Sequence, residues 1–146
     1  MNYMKFWLAF GMKTIMLLTI VASTFSNSAT LAAPKSDTHN QTIRGNSGGP
    51  VDSKNCGFVA NTPSYTLSLS NRIDYMRMFV EVNGGQPTLL VIGPKADDSF
   101  CVLGDMNTGL NPEISGVWEA GTYNVYIGDR YGERHQFTLR ISTDKN

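Results

Sequence analysis

Neither sign of charge predominates in this chain, where twelve Lys and Arg face twelve Asp and Glu among 146 residues. Without a basic excess there is no electrostatic pull toward nucleic acid or an anionic lipid surface. Beyond the N-terminal region no helical period of 3.6 residues appears, which excludes a helix bundle. Only two histidines are present, so general-base chemistry has few candidates. A long apolar run occurs once, at the N-terminus.

That run has the form of an export signal. Lys5 and Lys13 give positive charge, Thr14 to Ser23 is an apolar core, and Thr30-Leu31-Ala32 places small residues at −3 and −1. We expect residues 1–32 to be a signal peptide cut after Ala32, with Ala33 the second choice and Met12 an alternative start. An uncleaved anchor would hold Lys13 mid-span, at a cost of about 2.5–3.5 kcal/mol. No cysteine stands at the cleavage point, which argues against a lipoprotein. Taking Lys5 and Lys13 from the twelve basic residues leaves ten against twelve acidic ones. The expected location is secreted or periplasmic, without membrane association after cleavage.

Cys56 and Cys101 both survive cleavage. In an oxidising compartment a disulfide between them is the default; a metal site on two cysteines alone is the weaker reading. Residues 33–55 contain two large aliphatic side chains, Ile43 and Val51. So little apolar surface predicts a flexible leader, with the domain running from 56 to 143.

Within the domain, apolar residues alternate. Tyr65, Leu67 and Leu69 do so, as do Met76, Met78, Val80 and Val82, then Tyr123, Val125 and Ile127, and finally Phe137, Leu139 and Ile141. The period of two predicts strands at Tyr65–Ser70, Met76–Val82, Thr88–Ile92, Phe100–Leu103, Ile114–Trp118, Thr122–Ile127 and His135–Ser142. Asn83-Gly84-Gly85 suits a hairpin with positive φ, and Arg130 to Arg134 reads as a solvated hairpin. The fold class is all-β, an antiparallel β-sandwich or jelly roll of about seven to eight short strands.

Gly45-Asn-Ser-Gly-Gly-Pro50 resembles the nucleophile motif of trypsin-like serine peptidases. The resemblance would make Ser47 the nucleophile and nearby amides its oxyanion hole. That family places its base and acid upstream on a completed first barrel. Here fourteen residues separate Ala32 from Ser47, and they hold only His39 and Asp37. His135 lies far downstream. A serine without a positioned base is an ordinary alcohol, so we expect no enzyme.

A second resemblance covers nearly the whole domain. Thr88-Leu-Leu-Val-Ile-Gly-Pro94, Phe100-Cys101, Asp105, Asn111-Pro112-Glu113-Ile114 and Gly121-Thr-Tyr-Asn-Val-Tyr-Ile-Gly128 follow in the order of the bacterial pre-peptidase C-terminal domain. The resemblance implies a β-sandwich without catalysis of its own, accompanying secreted peptidases and in some members binding calcium. Where that family often has paired acidic residues after the cysteine, this chain has only Asp105.

Ca²⁺ needs six to eight oxygen ligands from flexible loops, and Asp97, Asp98, Asp105, Asn107 and Asp129 are the candidates. The plainer reading is that loops of β proteins are rich in Asp and Asn. Alternation also turns Tyr75, Phe79 and Tyr126 outward, as a possible binding face, against ordinary cross-strand packing. Trp118 reads as a plug at the core edge. The expected function is that of an exported accessory module attaching to an extracellular or envelope protein or glycan.

Overall fold

The computed structural model describes residues 40–145, and the expected signal peptide lies outside them. Ten strands follow in order: β1 Gln41–Asn46, β2 Val51–Asp52, β3 Phe58–Val59, β4 Tyr65–Leu69, β5 Ile73–Val82, β6 Pro87–Ile92, β7 Ser99–Leu103, β8 Glu113–Trp118, β9 Gly121–Asp129 and β10 Gln136–Ser142. They form two antiparallel sheets. One has the order β1-β10-β5-β8; the other has β2-β3-β9-β6-β7, with β4 also paired to β9. This is the expected sandwich, with three strands more at its N-terminal side than alternation predicted.

The core lies where the alternation placed it. Met76, Met78 and Val80 of β5 and Leu139 of β10 face Leu89 and Val91 of β6 and Val125 of β9. All seven are fully buried. Trp118 closes one side as expected, its indole N–H donating to the Met76 carbonyl at 3.0 Å and its ring set edge-on to Tyr123. On the outside of the larger sheet, Cys56, Val59 and Leu90 make a second small cluster against Tyr126. The Cys56–Cys101 disulfide is formed, with Cα atoms 5.7 Å apart.

Two expected boundaries need correction. The leader does not extend to residue 55, because Gln41–Asn46 pairs with β10 along six registered residues, from Gln41 opposite Ile141 to Asn46 opposite Gln136. This edge strand is held by its backbone ladder and buries little side chain, so it carries no apolar period to read. Residues 33–39 lie outside the described ones. In addition, β5 starts at Ile73 instead of Met76. A register shift against β8 falls between these two residues; the extra residue breaks the period of two while leaving both side chains on the core side.

The predicted hairpins at 83–85 and 130–134 are sheet-to-sheet arches. β5 and β10 belong to the four-stranded sheet, whereas β6 and β9 belong to the other. A third arch, residues 47–50, carries the chain from β1 to β2. Register brings all three to one pole. Asn46 opposes Gln136, Val82 opposes Phe137, and Pro87 opposes Asp129.

Candidate functional site

The arch pole holds the buried polar side chains Ser47 and Asp129, and the peptidase-like motif proves to be part of it. Ser47 is fully buried. Its amide donates to the His135 carbonyl at 2.8 Å, and its Oγ accepts the His135 amide at 3.2 Å. The hydroxyl therefore meets the backbone of His135, while the imidazole Nε2 stands 3.0 Å from Glu133 Oε2. A nucleophile needs access and a base on its oxygen; Ser47 has neither. The glycines serve a close crossing. Gly48 has φ +69°, and a Cβ there would fall 2.1 Å from the Glu133 carbonyl oxygen.

Asp129 organises the β9–β10 arch. It is 0% exposed, an unusual position for a carboxylate. Oδ1 accepts the amides of Tyr131 at 2.8 Å and Glu133 at 3.2 Å; Oδ2 accepts the Gln86 amide at 2.8 Å. One side chain thus ties the β9–β10 arch to the β5–β6 arch. The next acid along, Asp105, accepts the Asn107 amide at 2.9 Å and the Gln86 side-chain amide at 3.2 Å. Those two hydrogen bonds, the Asn107 amide foremost, hold its carboxyl below the ordinary range.

The five calcium candidates are not brought to one place. Asp105, Asn107 and Asp129 lie near the Pro87 end of β6, because Asp129 registers with Pro87 and Asp105 bonds Gln86. Asp97 and Asp98 lie in the turn beyond Ile92, with the Asp98 carbonyl accepting from Gly93. Five residues of strand separate the two groups by about 17 Å. The residues that converge on Asp129 are instead Glu133 and His135, whose ligand-capable atoms all lie within 4.8 Å of one another. Neither was legible as a partner of Asp129, because the stretch looked like a solvated turn.

The three outward aromatics divide between opposite faces. Tyr75 and Phe79 stand on the outer face of the four-stranded sheet. Arg77 lies 4.9 Å from the Phe79 ring centre, and Lys145 lies 5.7 Å from that of Tyr75. Tyr126 is half-buried on the other sheet, in the cluster with Cys56, Val59 and Leu90. The face carrying Tyr75 and Phe79 also carries ion pairs, Arg77 with Glu113 at 2.7 Å and Arg140 with Glu81 at 2.9 Å. The Arg77 hydrogen bond holds the Glu113 carboxyl below its usual value. Beside them a groove of about 610 Å³ runs across the row Arg44, Thr138 and Glu81, bordered by Asn46, Asn83 and Gln136 and by the apolar Val82 and Phe137.

No family model matches the chain. An uncharacterized protein of Synechococcus elongatus is 40% identical over 107 residues, spanning 70% of this chain and 75% of that protein. The pre-peptidase C-terminal domain of a collagenase from Bacillus anthracis superposes with a TM-score of 0.51 at 18% identity, covering 71% of this chain and 90% of that domain. The chain thus belongs to the family of the Synechococcus elongatus protein, and its sandwich has the fold of a pre-peptidase C-terminal domain.

Proposed function

We propose that the chain is an exported, non-catalytic accessory module that attaches to extracellular or envelope material through the outer face of its four-stranded sheet, with glycan as the favoured ligand. The observation that carries this is the groove over Arg44, Thr138 and Glu81, where amide and guanidinium groups stand beside the apolar Val82 and Phe137. Planar donors and acceptors of this kind suit the hydroxyl pattern of a sugar chain, and the neighbouring Phe79 ring supplies a flat apolar surface. The disulfide supports an oxidising compartment. The buried Ser47 speaks against the peptidase reading.

Co-sedimentation of the exported chain with insoluble cell-envelope polysaccharide tests the reading. Arg44→Ala with Gln136→Ala, and separately Phe79→Ala, will reduce the bound fraction. Tyr126→Ala, on the opposite face, will not. Equal retention of all variants removes this face as the attachment surface. Loss of binding after the envelope is treated with protease, but not with glycan hydrolase, replaces the glycan by a protein partner.

A further inference from the structure

We propose that Asp129, Glu133 and His135 form a binding site for one divalent transition-metal ion of the zinc class, where the three arches meet. Asp129 is a fully buried carboxylate that forms no ion pair with Lys or Arg among the described residues. Buried charges are paired or coordinate metals, and three amide hydrogen bonds leave Oδ2 with a free lone pair.

The second observation is a close approach that only glycine permits. Gly85 has φ +73°, and the position its Cβ would occupy lies 2.6 Å from Asp129 Oδ2 and 2.7 Å from His135 Nε2. Asp129 Oδ2 and His135 Nε2 therefore both lie against the Gly85 backbone, and with Glu133 the ligand-capable atoms of the three residues fall within 4.8 Å of one another. Glu133 Oε2 is 3.0 Å from the same Nε2. Ligands of a tetrahedral zinc ion, with bonds near 2.0–2.1 Å, stand about 3.3 Å apart. Glu133 is mostly exposed, so its side chain is free to adjust.

The donor set decides the class of metal. One imidazole and two carboxylates neutralise a divalent ion and favour zinc or its first-row neighbours, whereas calcium needs more ligands, all of them oxygen. Ser47 is a positioning residue here, fixing the His135 backbone through both its amide and its hydroxyl. The ion would brace the 83–86 and 130–135 arches together.

The test uses the mature chain, stripped with chelator and titrated with Zn²⁺ by calorimetry, then with Co²⁺ by visible absorption. We expect one equivalent bound, a melting temperature raised by several degrees, and a low-symmetry Co²⁺ spectrum. Glu133→Gln and His135→Gln will each weaken binding by more than the roughly 10–100-fold typical of losing an outer-shell partner. Both will keep the metal-free melting temperature close to that of the parent, so their loss of binding cannot come from misfolding. His39→Gln will bind as the parent does. Several weak equivalents insensitive to His135→Gln, or stoichiometric Ca²⁺ without Zn²⁺, would overturn the site.

Discussion

Reducing the disulfide should lower the stability of this domain by about 4 kcal/mol. Cys56 and Cys101 are 45 residues apart. In the chain-entropy account, freeing a loop of that size returns about 13.4 cal/mol/K to the unfolded chain, or about 4.0 kcal/mol at 25 °C. The 106 residues from 40 to 145 have an unfolding entropy near 220 cal/mol/K, so the loss corresponds to a fall of about 18 °C in melting temperature. Reduction removes no side-chain atoms, which keeps the native core constant; Cys101→Ser with Cys56→Ala adds a small cavity beside Val59 and Leu90. The assay is a calorimetric melt of the oxidised chain and of the same chain in phosphine reductant. A fall below about 5 °C, or roughly 1 kcal/mol, refutes the reasoning. It would mean that the unfolded chain is already compact across this span. Amide exchange adds a spatial check. Besides the bridge, residues 51–59 are anchored by the Thr88 hydroxyl on the Cys56 carbonyl and by Phe58 against Asp129. Their exchange should accelerate most on reduction.

Three further outcomes follow from the packing and the charges. Asp129→Asn, measured with chelator present, will lose about 3 kcal/mol in urea unfolding: its Oδ1 keeps two amides, but an NH₂ then confronts the Gln86 amide and leaves a buried donor unpaired. Met78→Ala, at a fully buried position between the sheets, will lose about 2–5 kcal/mol in the same assay. The Glu113 carboxyl is held below its usual value of 4.5 by the Arg77 hydrogen bond. A depressed folded value means that this stabilisation is complete above about pH 4.5 and fades as the pH falls through the folded value. Because the pair is partly exposed it contributes less than about 1 kcal/mol, and Glu113→Gln will remove that part of the acid slope in pH-dependent melts.

Much of the fold was legible because β4, β5, β9 and β10 bury one face along most of their length, and burial of one face writes a period of two into the sequence. What escaped was held by other means. β1 is a backbone ladder with Ile43 as its one large apolar residue. The arches looked like hairpins because Gly-rich turns satisfy the same conformational demand whether the next strand joins the same sheet or the facing one. Ser47 offered a motif of glycines and serine that local chemistry reads as catalytic; its burial against His135, 88 residues away, is a tertiary fact. Asp129 showed its residue type but not its environment. Nothing local distinguishes an acid that solvates a turn from one sealed beneath three amides.

The pairing of β1 with β10 has a mechanical consequence. Asn40 and Asp144 hydrogen-bond side by side at 3.1 Å, so the two ends of the sandwich leave from one pole, opposite the arches. Tension applied between those two ends would unzip the β1–β10 ladder, loading its bonds one after another. Tension between either end and cargo held at the arch pole would run lengthwise along the same strands, and all six registered pairs would share it in shear. The sandwich would thus yield to forces that peel its own ends apart and resist those applied between either end and its arch pole.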